Sequence, residues 1–98
     1  MTMNRDDVLR TLAEHKEEIR RLGVKSLAIF GSISRNEATG ESDVDVLVEF
    51  EGLATYDGYM ELKRFLEELL GVNVDLVTHK ALKPRVKQQV EKEAIYVA

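Results

Sequence analysis

The sequence has no cysteine, no tryptophan and a single proline in 98 residues. Without cysteine there are no disulfides, thiolate zinc sites or thiol nucleophiles, and any metal must be held by oxygen or imidazole ligands. An excess of basic charge is also missing. With 14 Lys and Arg against 18 Asp and Glu, the formal net charge is -4, so no direct binding to nucleic acid is expected, because that rests on basic surface neutralising many phosphates. No apolar run approaches the roughly 20 residues needed to cross a bilayer. The N-terminal Met1-Thr2-Met3-Asn4-Arg5-Asp6-Asp7 lacks the apolar stretch of a secretion signal, which makes the cytoplasm the expected location, with no membrane partner. Linkers, repeats and low-complexity tracts are absent as well. The expectation is one domain over residues 1–98, and its hydrophobic fraction of 44% suffices for one core. A chain this short buries only about 60 to 65% of its unfolded surface, so association with another protein would add stability.

Asn4 is placed to cap a helix whose first turn carries Asp6 and Asp7 and whose apolar positions are Val8, Leu9, Leu12, Ile19 and Leu22. Gly23 ends it. Val24 to Phe30 predicts a short strand running into Gly31-Ser32, followed by a polar loop over Ser34 to Ser42. From Asp43 to Phe50 the pattern alternates. Val44, Val46, Val48 and Phe50 share one face, while Asp43, Asp45, Leu47 and Glu49 share the other. Thr55 then caps a helix bearing Tyr59, Met60, Leu62, Phe65, Leu66, Leu69 and Leu70, closed by Gly71. Val72 to Thr78 predicts a third strand. Pro84 opens a last helix with Val86, Val90 and Ala94 as its buried stripe. The predicted class is α/β with mixed α+β character: a small mixed sheet of about three strands flanked by helices, in the order α-β-β-α-β-α.

The helix between the second and third strands implies a right-handed parallel crossover. If the first two strands are antiparallel, Gly31-Ser32 lies beside Asp43 to Asp45, and a parallel third strand carries Asp75 to the same rim. Two carboxylates at i and i+2 on a strand have Cα atoms roughly 6 to 7 Å apart and can share a hard cation. With Asp75 added, two Mg²⁺ ions about 3.5 to 4 Å apart can be held, the arrangement used for in-line phosphoryl transfer. Gly31 lets a triphosphate approach the backbone, and Ser32 offers a hydroxyl and an amide to phosphate oxygens. Arg35 is close enough in sequence to neutralise charge on a departing pyrophosphate. The sequence leaves Asp75 two roles, metal ligand or proton acceptor.

Gly31-Ser32, ten intervening residues and Asp43-Val44-Asp45 resemble the signature of the DNA polymerase beta-like nucleotidyltransferase superfamily, with Asp75 in Val74-Asp75-Leu76 as the later carboxylate. The nearer resemblance is to its minimal nucleotidyltransferase branch, the MNT antitoxins paired with HEPN toxins. It is carried by Phe30-Gly31-Ser32, Arg35, the run Ser42 to Phe50, and Val74 to Val77, and it extends from Val24 to Val97. Many relatives follow the Gly-Ser with an arginine and then a further Arg-Gly pair, and the sequence departs from them at Ile33 and Asn36. The resemblance implies a mixed sheet flanked by helices, two Mg²⁺ ions, ATP as donor and transfer of AMP to a tyrosine of a cognate HEPN toxin, with which the chain could form an oligomer. Asp43, Asp45 and Asp75 are then the catalytic and metal-binding residues, and Gly31, Ser32 and Arg35 bind the nucleotide.

Each element also has an ordinary reading. Gly-Ser after a strand is usually a turn, Asp-x-Asp is usually solvated surface, and Arg35 could be a plain loop residue. Aspartate is depleted in strands, however, and three of them beside valine-rich runs are unfavourable without compensating cations. His15 and His79 read as solvated helix and loop residues, Tyr56 and Tyr59 as half-buried packing residues, and Lys80, Lys83, Arg85 and Lys87 as a solvated face. Rival functions are a binding module that neutralises a partner by occlusion, or nucleotidyl transfer to a small molecule or RNA.

Overall fold

The computed structural model describes residues 4–31, 33, 43–53 and 55–97. The N-terminal helix α1 (Arg5–Glu14) starts at a capping box: the Asn4 side chain accepts from the Asp7 amide at 2.9 Å, and the Asp7 carboxylate accepts from the Asn4 amide at 3.3 Å. One continuous helix as far as Gly23 was expected, but the structure divides it at His15. There Nδ1 donates to the Thr11 carbonyl at 2.9 Å, a side chain entering the helical ladder. The helix resumes as α2 (Lys16–Arg21) after His15, whose φ is -112.

Strands β1 (Val24–Phe30) and β2 (Val44–Phe50) pair antiparallel, as the alternation and the intervening loop require. Helix α3 (Tyr56–Leu70) follows, with the Thr55 side chain accepting from the Gly58 amide and Gly71 as left-handed cap at φ 70. It delivers β3 (Val74–Thr78) parallel to β2, the outcome the crossover rule predicts. A 3₁₀ turn (His79–Ala81) precedes α4 (Pro84–Glu93). A fourth strand, β4 (Ile95–Tyr96), was not expected; it pairs antiparallel with β1, and the Val97 amide donates to the Leu27 carbonyl at 2.8 Å. The sheet order is β3-β2-β1-β4. This is a mixed sheet with helices on both faces.

On one face Leu27, Ile29, Val44, Val46, Val48, Val74 and Leu76 pack against Val8, Leu12 and Ile19 of the first helices and Leu62, Leu66 and Leu70 of α3. Each fully buried aliphatic side chain contributes about 1.5–3 kcal/mol. Ile33 is 2% exposed and joins this core. The opposite face is more thinly covered, with Ala28, Leu47 and Val90 buried and Phe30, Leu82 and Ala94 beside them. Two packing expectations need correction. Val86, in the first turn of α4, is 47% exposed, and Tyr56, at the start of α3, is 77% exposed. Among the described residues no helix is long and apolar enough to cross a membrane.

Candidate active site

The thinly covered face carries the acidic residues. Since Val44 and Val46 point into the main core, Asp43 and Asp45 project to the other side. The same alternation in β3, with Val74 and Leu76 buried, turns Asp75 to that side too. Register then sets their level: Phe30 pairs with Asp45 across the antiparallel ladder, and Asp45 pairs with Asp75 across the parallel one. Adjacent strands lie about 4.8 Å apart, so the two aspartates are next neighbours along one row. Asp43 and Asp75 are exposed and Asp45 is half-buried. The expected convergence of three carboxylates on one rim is what the backbone provides.

Gly31 closes the rim. It is the first residue beyond β1, with φ +74, and a Cβ built on it would lie 2.2 Å from Asp45 Oδ2. Only glycine combines that left-handed backbone with that close approach. Ser32 and Arg35, the other expected nucleotide contacts, lie outside the described residues, as does most of the connecting loop. Ile33 turns inward to the core.

The carboxylates fit a hard divalent cation. Among the described residues no three His, Cys, Asp or Glu side chains are gathered closely enough to form a metal cluster unaided. Mg²⁺ does not need that, because it takes one or two carboxylates and fills its octahedron with water and phosphate oxygens. The Asp43–Asp45 and Asp45–Asp75 neighbour pairs supply such donors.

The strand bearing Asp75 lies at the sheet edge, and α3 supplies what a further strand would have given. The Asn73 carbonyl accepts from the Val44 amide at 3.0 Å, so the Val74 amide, on the other side of the same peptide, faces outward. Glu67 Oε2 accepts from it at 3.0 Å and also from Lys63 Nζ at 2.9 Å. Two residues along, the Leu76 carbonyl accepts from the Tyr59 hydroxyl. The Val74 amide, and after it Lys63, hold the Glu67 carboxyl below the ordinary glutamate value, while Lys63 is raised, chiefly by its hydrogen bond to Glu67. Sequence reasoning passed over Glu67 and Lys63, since a lysine and a glutamate at i and i+4 look like any surface helix pair. Tyr59 reads from sequence as a packing residue or, less often, a partner contact, and neither reading gives its hydroxyl this acceptor.

A cleft of about 470 Å³ opens at the opposite end of the strands, lined by Phe50, Leu53, Thr78 and His79 among others. His79, read as a loop residue, sits there with Nε2 3.3 Å from Glu91. The chemistry-bearing aspartates are at the other end of β2 and β3.

Comparison with known proteins places this geometry. The nucleotidyltransferase domain family matches residues 12–97, a segment that includes Gly31 and all three aspartates. The protein adenylyltransferase MntA of Thermococcus cleftensis is 42% identical over 93 residues, covering 94% of each chain. A solved minimal nucleotidyltransferase superposes with a TM-score of 0.77 at 41% identity, over 95% of both chains. The same fold, at 20% identity and a TM-score of 0.67, occurs in the complex of a tri-AMPylated Shewanella oneidensis HEPN toxin with an MNT antitoxin, over 92% of this chain and 71% of that one. Identity above 40% along nearly the whole of two relatives means that the chain belongs to the nucleotidyltransferase family, among its minimal members of the MntA type.

Proposed function

We propose that the protein is an antitoxin that transfers AMP from ATP to a tyrosine of a cognate HEPN toxin, with Mg²⁺ as cofactor, in the cytoplasm where ATP is supplied. The observation that carries the reading is the row formed by Phe30, Asp45 and Asp75 in register, with Gly31 against Asp45. The relatives' names support the reaction class, adenylyl transfer to protein, and the toxin complex with the same fold supports the partner.

Asp43 and Asp45 would hold Mg²⁺ on the triphosphate, and Asp45 with Asp75 a second ion. When bound, magnesium neutralises phosphate charge and fixes the triphosphate for in-line displacement. Gly31 admits the phosphates to the backbone, with Ser32 donating to their oxygens and Arg35 countering charge on the leaving group. The acceptor's phenolic oxygen attacks the α-phosphorus, the bond to the bridging oxygen breaks, and pyrophosphate leaves. Asp75, at the end of the row and exposed, takes the phenolic proton or orients the oxygen that loses it. The exposed rim leaves acceptor recognition to the partner's own surface, so the working form is a complex with the toxin.

The test is label transfer from α-labelled ATP to the co-purified partner. Asp43→Asn with Asp45→Asn should abolish it while the far-ultraviolet dichroism stays that of the parent. Transfer by the double variant at the parent's rate would refute the site. A parent that silences the partner without labelling it would make the protein a binding module acting by occlusion, and labelling of an RNA end or a small molecule instead would change the acceptor class.

A further inference from the structure

We infer that Glu67 and Tyr59 are positioning residues for Asp75, an inference that rests on the proposed function and adds to it. An edge strand presents unpaired amides and carbonyls along its outer side and is held in register from one side only. In β3 two of the outward groups on the residues either side of Asp75 are occupied by side chains of α3: the Val74 amide by Glu67 and the Leu76 carbonyl by Tyr59. Asp75 is the residue between them, and by strand alternation its own amide and carbonyl face β2. The Asn73–Val74 peptide, one unit before the peptide that leads into Asp75, is therefore gripped from both sides, by the Val44 amide on the sheet side and by Glu67 on the helix side, each at 3.0 Å.

Val44 is itself the residue between Asp43 and Asp45. One peptide unit thus ties the strand carrying two carboxylates to the strand carrying the third, and α3 sets where that unit lies. A slip of β3 by one residue would turn Asp75 to the opposite face and Val74 toward the rim. Lys63 completes the bracket by holding Glu67 Oε2 at 2.9 Å, with Lys63 and Glu67 each 30% exposed. This is the role that groups supporting a metal ligand play from behind it, and loss of such a group typically weakens metal binding about ten- to hundredfold.

The test compares Glu67→Ala, Glu67→Gln and Tyr59→Phe in the full chain, using Mn²⁺ with the non-hydrolysable analogue AMP-PNP as probe. Mn²⁺ binding is read by electron paramagnetic resonance, exchange of the Val74 and Asp75 amides by NMR, and transfer to the partner as kcat and KM separately. Glu67→Ala should speed exchange at Val74, weaken Mn²⁺ binding about tenfold and lower kcat with little change in KM for ATP. Glu67→Gln keeps an acceptor for the Val74 amide and should recover most of both. Tyr59→Phe, which removes one hydroxyl, should give a smaller loss in the same direction and keeps the idea testable if the alanine variant unfolds. Folded variants that bind Mn²⁺ and turn over like the parent would overturn the positioning role and leave the proposed function intact. A parent that binds no Mn²⁺ with the nucleotide would overturn both.

Discussion

A methyl group on Gly31 would sit 2.2 Å from Asp45 Oδ2. The turn after the first strand and the central carboxylate of the rim are therefore fitted to each other, although 14 positions separate them in the sequence. Gly31→Ala should suffer twice, from a left-handed backbone that costs a residue with a Cβ about 1–2 kcal/mol and from displacement of Asp45. Gly52→Ala and Gly71→Ala, at φ +72 and +70 with nothing within 4 Å of the added carbon, should suffer only the first. Thermal melting and label transfer separate the two costs. All three variants should lose roughly 4–8 °C per kcal/mol, and only Gly31→Ala should also lose most of its transfer.

The three aspartates should differ in their effects. Asp45, in the middle of the row between Phe30 and Asp75, neighbours both other carboxylates and belongs to either ion proposed. Asp45→Asn is expected to cost at least about a hundredfold in kcat, the scale of removing a preorganised electrostatic group from a transfer site. Asp75→Asn should weaken metal binding at least about tenfold, as expected of Glu67→Ala, but less than Asp45→Asn, and leave ATP binding closer to the parent's while kcat falls. Equilibrium binding of AMP-PNP beside single-turnover transfer distinguishes these outcomes. Equal losses of binding and transfer in all three single variants would contradict the division of roles.

The parts of this fold legible in the sequence are those set by local patterning. Val44, Val46 and Val48 alternate with Asp43, Asp45 and Leu47, and both the strand and the acidic face followed from that; Thr55 and Gly71 marked the two ends of α3. Asp75 reached the right face because a helix between two strands leaves almost no alternative to a right-handed parallel crossover. What escaped was decided by contacts distant in sequence. Ile95 and Tyr96 form a strand only because β1 has a free edge opposite Ile29 and Ala28. The break at His15 depends on an imidazole finding the Thr11 carbonyl, which hydrophobic periodicity does not register. Val86 fitted the helical stripe but is 47% exposed, whereas Val90, one turn further on, is buried. The hold of α3 on β3 was invisible for the same reason, since nothing in Lys63-x-x-x-Glu67 names Val74 as its target.

Removal of divalent metal supplies a test that needs no substitution. Chelation with EDTA should stop transfer, and added Mg²⁺ should restore it in proportion to occupancy. The fold should persist, because the core of Leu27, Ile29, Val46, Leu62 and Leu66 does not include the rim. Dichroism unchanged by EDTA together with reversible loss of labelling is the expected pair of results. Transfer that continues in excess chelator would contradict a role for Mg²⁺.

The Glu67 bracket also makes stability depend on pH, in a direction fixed by its partners. Glu67 titrates lower in the folded chain than the ordinary value of about 4.3, because the Val74 amide and Lys63 favour its ionised form. Its contribution is therefore complete above that ordinary value and disappears as pH falls through the lowered folded value. Lys63 is raised in the folded chain, so its contribution is present below its ordinary value of about 10.4 and disappears as pH rises beyond it. Urea midpoints of the parent and of Glu67→Gln should differ most near neutrality and converge on strong acidification, since protonated glutamate and glutamine are near equivalents. The difference should stay small throughout, because both side chains are part-exposed, at 30% each, and solvent screens such pairs. A gap between parent and variant that widens toward acid would mean that Glu67 is strained when ionised, contrary to the hydrogen bonds it accepts from Val74 and Lys63.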